Sequence, residues 1–238
     1  INAINNFSGR LFGAVTASVG NLIAVENLQK KQDMFKIIEH ITAWLALNLA
    51  VGMYVVLNPL IELWLGEKYL FSDIILAWII VSFYVTYMRK AVQVFKDASG
   101  LFWNDRYKPV AESIINLLSS VYLTINYGII GVVWGGIIST ILVCFWVEPY
   151  VLFRNGLHLP LKMYFYRCFK YGISTGAAAI CAKMIYVHIF PQSTIIGLTS
   201  GCFISIMVSN LLWWAVFGRT NEFKYMRDLV ICKALKRI

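Results

Sequence analysis

PVAESIINLLSSVYLTINYGIIGVVWGGIISTILVCFWVEPYVLF, residues 109–153, contains two apolar stretches separated only by Tyr127 and Gly128. Each stretch approaches or exceeds the length of about 20 residues that a helix needs to cross the hydrocarbon core of a membrane. So short a connector makes the two helices antiparallel neighbours, and Gly128 supplies the expected break. The segment therefore predicts a helical hairpin in a membrane.

The same alternation of long apolar stretches and short polar connectors runs through the whole chain. Apolar residues make up 59% of the 238 residues, charged residues only 14%, and the mean hydropathy is +0.68. A soluble domain of this composition would expose far too much apolar surface. We predict an all-α fold, a polytopic transmembrane helical bundle of about seven spans: 4–24, 37–57, 72–95, 109–126, 129–153, 171–190 and 195–217.

The basic residues orient this threading. All but three of the 21 Lys and Arg residues lie in or beside connectors on one side, or in the tail; the exceptions are Arg10, Lys68 and Lys183. Basic connectors of membrane proteins face the cytoplasm, which predicts a cytoplasmic carboxyl end. The net charge of +9 is then explained by orientation and by attraction to anionic membrane lipids, so nucleic acid is not an expected partner.

The two ends of the chain carry further predictions. Residue 1 is Ile, and no signal peptide or basic start precedes the first span, which favours the later part of a longer chain. From Asn221 to Ile238, apolar and basic residues alternate at helical spacing. This pattern predicts an amphipathic helix on the inner leaflet, with a solvated tail as the alternative.

Four pairs of glycines spaced four residues apart lie in separate predicted spans, and they favour close helix packing. They are Gly9 with Gly13, Gly131 with Gly135, Gly172 with Gly176, and Gly197 with Gly201. The alternative for any one pair is the general frequency of glycine in membrane helices.

Motifs for catalysis are absent from the sequence. It has no nucleophile elbow, no phosphate-cradling glycine loop and no metal-ligand spacing, and its three histidines stand far apart. The five cysteines show no paired spacing, which favours neither disulfides nor a metal site. We therefore expect no enzyme activity, no metal and no cofactor.

Basic residues inside predicted spans are the candidates for binding an anion. Arg10 and Lys183 are costly if they face lipid, so they should face a cavity or a partner. A cation in a water-accessible cavity would suit the phosphate of a lipid headgroup. Arg89 and Lys90 are candidates for a cytoplasmic entrance, with snorkelling to the interface as the alternative.

Two acidic residues near the cytoplasmic ends of spans are candidates for ion coupling. A carboxylate such as Glu112 or Glu148, buried among helices, can bind Na⁺ or a proton that drives a conformational change. The alternative is a structural salt bridge to a nearby cation: Arg106, Lys108 or Arg154.

Three stretches of the chain resemble the carboxyl-terminal half of Wzx-type polysaccharide flippases, of the multidrug/oligosaccharidyl-lipid/polysaccharide superfamily. They are LGEKY at 65–69, GLFWNDRYKPVAESIINLLSSVYLTINYGIIGVVWGGIIST at 100–140 and FWVEPYVLF at 145–153. The resemblance covers mainly residues 60–155. It implies a second transporter bundle at 1–153, two additional transmembrane helices at 154–217 and a cytoplasmic tail at 218–238.

The resemblance also implies a function. Such proteins move undecaprenyl-pyrophosphate-linked oligosaccharide across the bacterial inner membrane for O-antigen lipopolysaccharide, capsule or exopolysaccharide assembly. The implied partners are this lipid-linked oligosaccharide, the missing amino-terminal half of the transporter, and polysaccharide polymerase and glycosyltransferases. A cation-coupled drug or metabolite exporter of the same superfamily and a non-transporting scaffold for polysaccharide enzymes remain alternatives.

Overall fold

Every regular element in the described part of the chain is a helix, which confirms the predicted all-α class. The computed structural model describes residues 2–190 and 194–235, with side chains from residue 9 to residue 228 except 10, 11 and 14. The helices are α1 (Asn2–Val25), α2 (Leu28–Leu65), α3 (Asp73–Met88), α4 (Lys90–Ala98), α5 (Lys108–Tyr127), α6 (Ile129–Ser139), α7 (Phe145–Leu152), α8 (Leu161–Ile189), α9 (Ile195–Phe217) and α10 (Asn221–Leu235).

Within the described residues, five helical segments are long and apolar enough to cross a membrane. They are Leu28–Leu65, Asp73–Ala98, Ile129–Leu157, Leu161–Ile189 and Ile195–Phe217. The predicted spans 4–24 and 109–126 also coincide with helices, α1 and α5. Neither is among the five; in α1 the described apolar helix is the shorter Val15–Val25. The chain is therefore a candidate for crossing a membrane at least five times.

Helix α2 is much longer than the predicted span 37–57, because the charged residues before it are helical too. The Asn27 side chain caps its start by accepting a hydrogen bond from the backbone N–H of Lys30 at 3.0 Å. One turn later, Lys36 forms an ion pair with Asp33 at 2.9 Å. Pairs at this spacing stabilise a helix surface. The predicted connector before residue 37 is therefore helical over most of its length, and α8 likewise begins ten residues before 171.

Gly128 makes the predicted turn between α5 and α6, and it does so alone, because Tyr127 of the predicted two-residue connector is still helical. Its φ of 65° lies in the left-handed region that favours glycine. Beyond the turn, a Cβ atom at Gly135 would lie 2.6 Å from the Cα of Ser120, and one at Gly131 would overlap the backbone of Leu123. The predicted antiparallel pair with close packing at Gly131 and Gly135 is confirmed.

Two of the other three glycine pairs, Gly9 with Gly13 and Gly172 with Gly176, pack differently from the prediction. A Cβ atom at Gly9, Gly13, Gly172 or Gly176 would meet no atom of the described residues within 4 Å. At Gly201 it would meet only side chains, the nearest being the Tyr186 ring at 3.0 Å. The prediction that another helix backbone approaches closely is therefore wrong for two pairs, Gly9 with Gly13 and Gly172 with Gly176.

The chain divides into two compact units. The first comprises residues 1–42 and 85–166. Aromatic side chains fill its interior: the ring of Phe35 lies 5.2 Å from that of Phe95 and 5.3 Å from that of Phe153, both edge to face. The division differs from the boundaries at 153 and 217 that the family resemblance implies, and those stay a prediction.

The second unit comprises residues 43–84 and 167–238. Polar side chains join two of its helices: Trp44 of α2 donates to Asn210 of α9 at 2.9 Å, and Asn210 donates to Asn48 at 3.1 Å. Such hydrogen bonds associate helices in lipid, where apolar contact alone gives no preference. Pro191, the predicted break before α9, lies outside the described residues.

The predicted tail helix is present as α10. In its first turns Phe223 and Met226 are half-buried while Lys224 and Arg227 are exposed, as an amphipathic helix requires. The rest of its predicted apolar face lies outside the described side chains. At its start, Glu222 pairs with Arg167 of α8 at 3.0 Å. Attachment of α10 to the inner leaflet stays a prediction.

Candidate functional site

The first unit holds six charged side chains that we call the buried charge cluster: Arg89, Lys96, Asp105, Lys108, Glu112 and Glu148. Four helical segments supply them, one of which is the 3₁₀ turn Trp103–Asp105 that contains Asp105. Arg89 lies at the junction of α3 and α4, where the backbone stays helical, with φ of −70° and ψ of −18°. Lys108 begins α5, and Glu148 lies in α7. The cluster balances three positive charges with three negative ones.

Glu148 is the centre of the cluster, with a side chain that is 0% exposed. Arg89 donates two hydrogen bonds to it, from Nε to Oε2 at 3.0 Å and from Nη2 to Oε1 at 2.8 Å. Lys108 Nζ donates to Oε1 at 2.5 Å, and Gln93 donates to the same oxygen at 3.3 Å. Two-pronged pairing of arginine with a carboxylate is among the strongest hydrogen-bonded arrangements in proteins.

A second ion pair lies beside the first. Lys96 Nζ is 2.5 Å from Asp105 Oδ2, and both side chains are buried. Lys108 Nζ is 3.8 Å from the same Asp105 oxygen, so Lys108 joins the two pairs. Burial alone disfavours its charge, but the hydrogen bond and the negative charge of Glu148 raise the pKa of Lys108 above its ordinary value.

The helix that carries Glu148 is irregular at both ends. Single π-helical turns at Thr140–Cys144 and Phe153–Leu157 flank α7. In the first of them, the Phe145 N–H donates to the carbonyl of Thr140 rather than to that of residue 141. Pro149, which lacks an N–H, follows Glu148 directly. Turns of this kind are frequent at functional sites, because the extra residue re-aims the side chains that follow.

The structure brings together three of the six predicted site residues. Arg89, Glu112 and Glu148 meet, with Arg89 Nη1 3.8 Å from Glu112 Oε1. The salt bridge from Glu148 to Lys108 was the predicted structural alternative, and it is confirmed. The sequence did not predict Arg89 as the main partner of Glu148. Their separation of 59 positions along the chain gave no sign of the pair.

The remaining predicted site residues lie elsewhere. Lys90 is half-buried at the start of α4. Lys183, in α8 of the second unit, places its Nζ 5.6 Å from the centre of the Tyr54 ring. The side chain of Arg10 lies outside the described residues, so its role stays a prediction.

The two other predicted partners of Glu148 contact aromatic rings instead. Arg106 stacks 4.0 Å above the ring of Trp103. Arg154 donates a hydrogen bond to the hydroxyl of Tyr150.

Several buried polar residues were missed at the sequence level. Lys96 and Asp105 looked like ordinary connector charges, and only their pairing across nine residues shows otherwise. Glu39 and His40 are each 1% exposed in α2. Their signal was available, because both fall inside the predicted span 37–57, where a polar side chain is expensive.

Among the residues that the structure describes, no group of three or more His, Cys, Asp or Glu side chains could hold a metal ion. The chain matches no protein-family model, and it has no significant similarity to a curated protein or to a solved structure. Fold and site thus define a class, an all-helical protein with five helices of membrane-crossing length and buried charges along them.

Proposed function

We propose that this protein is part of a membrane transporter that moves lipid-linked oligosaccharide from the cytoplasmic to the outer leaflet of a bacterial inner membrane. The observation that carries the transporter class is the buried charge cluster. Charged side chains along membrane-crossing helices are expensive and mark transport pathways more often than passive structure. The substrate class rests on the sequence resemblance described above.

The proposed topology has seven spans, with α1 and α5 crossing in addition to the five apolar helices. The basic connectors then face the cytoplasm, together with the carboxyl end. Glu112 and Glu148 thus lie near the cytoplasmic side. The second bundle of a flippase of this superfamily, with two additional helices, is the architecture that we propose for the whole.

Transport would proceed by alternating access, with the pyrophosphate and glycan in a hydrophilic cavity and the polyprenyl tail in lipid. Arg10 is the first candidate to contact the pyrophosphate, followed by Lys90 and Lys183. Arg89 is a weaker candidate than its position suggests. An anion reaching it must compete with Glu148, which holds two of its guanidinium nitrogens.

Glu112 is a better candidate for ion coupling than Glu148. Protonating Glu148 would leave Arg89 and Lys108 without their bonded counter-charge in a buried site, which is strongly unfavourable. The Glu112 side chain is 31% exposed, its contact with Arg89 is as long as 3.8 Å, and its other partner is the neutral Cys144 side chain. It can therefore exchange a proton or a cation with less disturbance of its neighbours.

Two other functions stay open as alternatives. A cation-coupled drug exporter would favour an acidic cavity, whereas the charged residues proposed here to bind substrate are basic. A non-transporting scaffold for polysaccharide enzymes would retain the helices but would tolerate loss of Arg10 and Lys183. Neighbouring genes for a polymerase and glycosyltransferases would favour either polysaccharide function over drug export.

The test is the location of lipid-linked oligosaccharide in cells that lack the full gene. We expect the oligosaccharide to be trapped on the cytoplasmic face and inaccessible to a glycosidase added outside intact spheroplasts. The wild-type gene should restore access, Arg10→Ala should not, and Lys68→Ala, an exposed lysine in an outer connector, should do so as a matched control. Normal access in the deletion strain would contradict the proposal.

A further inference from the structure

Two adjoining cavities lie in the second unit, among α2, α3 and α8. One has a volume of about 270 Å³, and its wall includes Ala77, Ile80 and Gly176. The other, of about 640 Å³, is bordered by Asp73, Lys183 and His188. Both are lined by Tyr54 and Ile180, so the two cavities adjoin, and we call them together the groove, with an apolar part and a charged end.

The apolar part has the form of a site for a hydrocarbon chain. Its wall is almost free of polar atoms, and it is smaller than the roughly 300–1,000 Å³ of sites for drug-sized ligands. A Cβ atom at Gly172 or Gly176 would meet nothing, so this wall of α8 is open. Val81 and Ile180, on its rim, are 40% and 56% exposed. The groove thus opens sideways, toward the lipid if α3 and α8 cross the membrane.

The charged end has a cation that lacks an ionic partner among the described residues. Among the described residues, no carboxylate lies within 4.0 Å of Lys183 Nζ. The ammonium group instead lies 5.6 Å from the centre of the Tyr54 ring, over its face. Lys183 is half-buried and lies six residues before the end of α8. A lysine within a membrane-crossing helix is stabilised by an anion at the same depth. The phosphate of a lipid is the anion available there.

We propose that this groove binds one anionic glycerophospholipid, with an acyl chain along Gly172 and Gly176 and its phosphate at Lys183. Phosphatidylglycerol fits the charged end best. Its phosphate complements the positive charge of Lys183, and its headgroup hydroxyls can donate hydrogen bonds to the carboxylate of Asp73. Under the predicted orientation, the lipid belongs to the outer leaflet. The site does not depend on the proposed transport function.

The experiment measures lipid retention by the purified protein in native mass spectrometry, with phosphatidylglycerol and phosphatidylcholine of the same acyl chains as probes. Two variants test the two parts of the groove, Lys183→Gln and Gly176→Leu. Their matched controls are Lys68→Gln, an exposed outer lysine, and Gly52→Leu, at a glycine of α2 outside the groove that also has open space. Thermal unfolding checks that each variant is folded.

Wild-type protein should retain phosphatidylglycerol in preference to phosphatidylcholine. Lys183→Gln should weaken retention of phosphatidylglycerol at least about fivefold and remove the preference, as expected for loss of one lysine contact to an anionic headgroup. Gly176→Leu should weaken retention of both lipids about tenfold, because the leucine side chain displaces about two methylene groups of the acyl chain from the groove. Both controls should match the wild type.

Three results would overturn the proposal. The first is equal retention of the two phospholipids by the wild type. The second is an unchanged preference in folded Lys183→Gln. The third is displacement of phosphatidylglycerol by equimolar polyprenyl phosphate, which would assign the groove to the transported lipid instead. The first two readouts do not depend on the flippase assignment, so its failure would leave them unaltered.

Discussion

At the scale of single residues, Glu148 has the most demanding environment in the described part of the chain. It is fully buried, and its two oxygens receive hydrogen bonds from Arg89, Lys108 and Gln93. Burying three charges is unfavourable by itself, and mutual pairing offsets most of that penalty. Removing one member therefore does more harm than removing the whole group, because it strands the others.

We expect Glu148→Gln to lower the free energy of unfolding by about 3–5 kcal/mol, the range for breaking a buried ion pair on one side. Glu112→Gln is the matched control. Its carboxylate is partly exposed, and its contact with Arg89 is weak because the two groups are as far apart as 3.8 Å. We therefore expect a change within about 1 kcal/mol. Thermal unfolding in detergent, followed by tryptophan fluorescence, measures both. Equal effects of the two substitutions would contradict the central role given to Glu148.

At the scale of elements, the hairpin of α5 and α6 shows how a small residue sets the distance between helices. Gly131 and Gly135 face α5 so closely that no side chain fits. The Ser119 hydroxyl also donates to the carbonyl of Gly135 at 3.3 Å, a contact that close approach permits. Gly136, the next residue, has open space. Of these two adjacent glycines in α6, Gly135 has no room for a side chain, whereas Gly136 does.

Gly135→Ala should destabilise the protein by about 1–3 kcal/mol, since the added methyl group forces α5 and α6 apart. Gly136→Ala should be neutral or stabilise by about 0.5–1 kcal/mol, because alanine favours a helix and meets no atom. Melting temperatures of the two variants, purified in the same detergent, give the comparison. Similar losses at both positions would show that the helices are not in close contact at Gly135.

At the scale of the whole molecule, orientation rests on the distribution of charge along the chain. The connector near Lys68 has one basic residue, whereas the connectors near Arg106 and Lys162 are strongly basic. Retention of positive loops in the cytoplasm sets the direction of insertion. A phosphatase that is active only outside the cytoplasm should thus be active when fused after Lys68, and inactive when fused after Arg106 or Ile238. The reverse pattern would invert the proposed topology.

The sequence by itself determined the helical class, the turn at Gly128 and the positions of seven helices, five of which are long and apolar enough to cross a membrane. Burial of apolar side chains and hydrogen bonding of the backbone within a membrane are local requirements. The sequence also placed Glu148 and Lys108 as candidate partners, since both lie at the same predicted end of neighbouring spans. Helix ends were less predictable. A helix can continue through charged turns, such as that of Asp33 and Lys36, which the pattern of apolar residues does not reveal.

Only the tertiary structure decided which charges meet. Arg89 was a candidate for a cytoplasmic entrance or for snorkelling to the interface, yet it pairs with Glu148, because the start of α4 packs against α7. Likewise, Gly172 and Gly176 matched the same pattern as Gly131 and Gly135 but border a groove. The physical reason is common to both cases. Spacing along a helix shows which residues share a face, and the facing element alone decides whether that face meets a carboxylate, a backbone or a cavity.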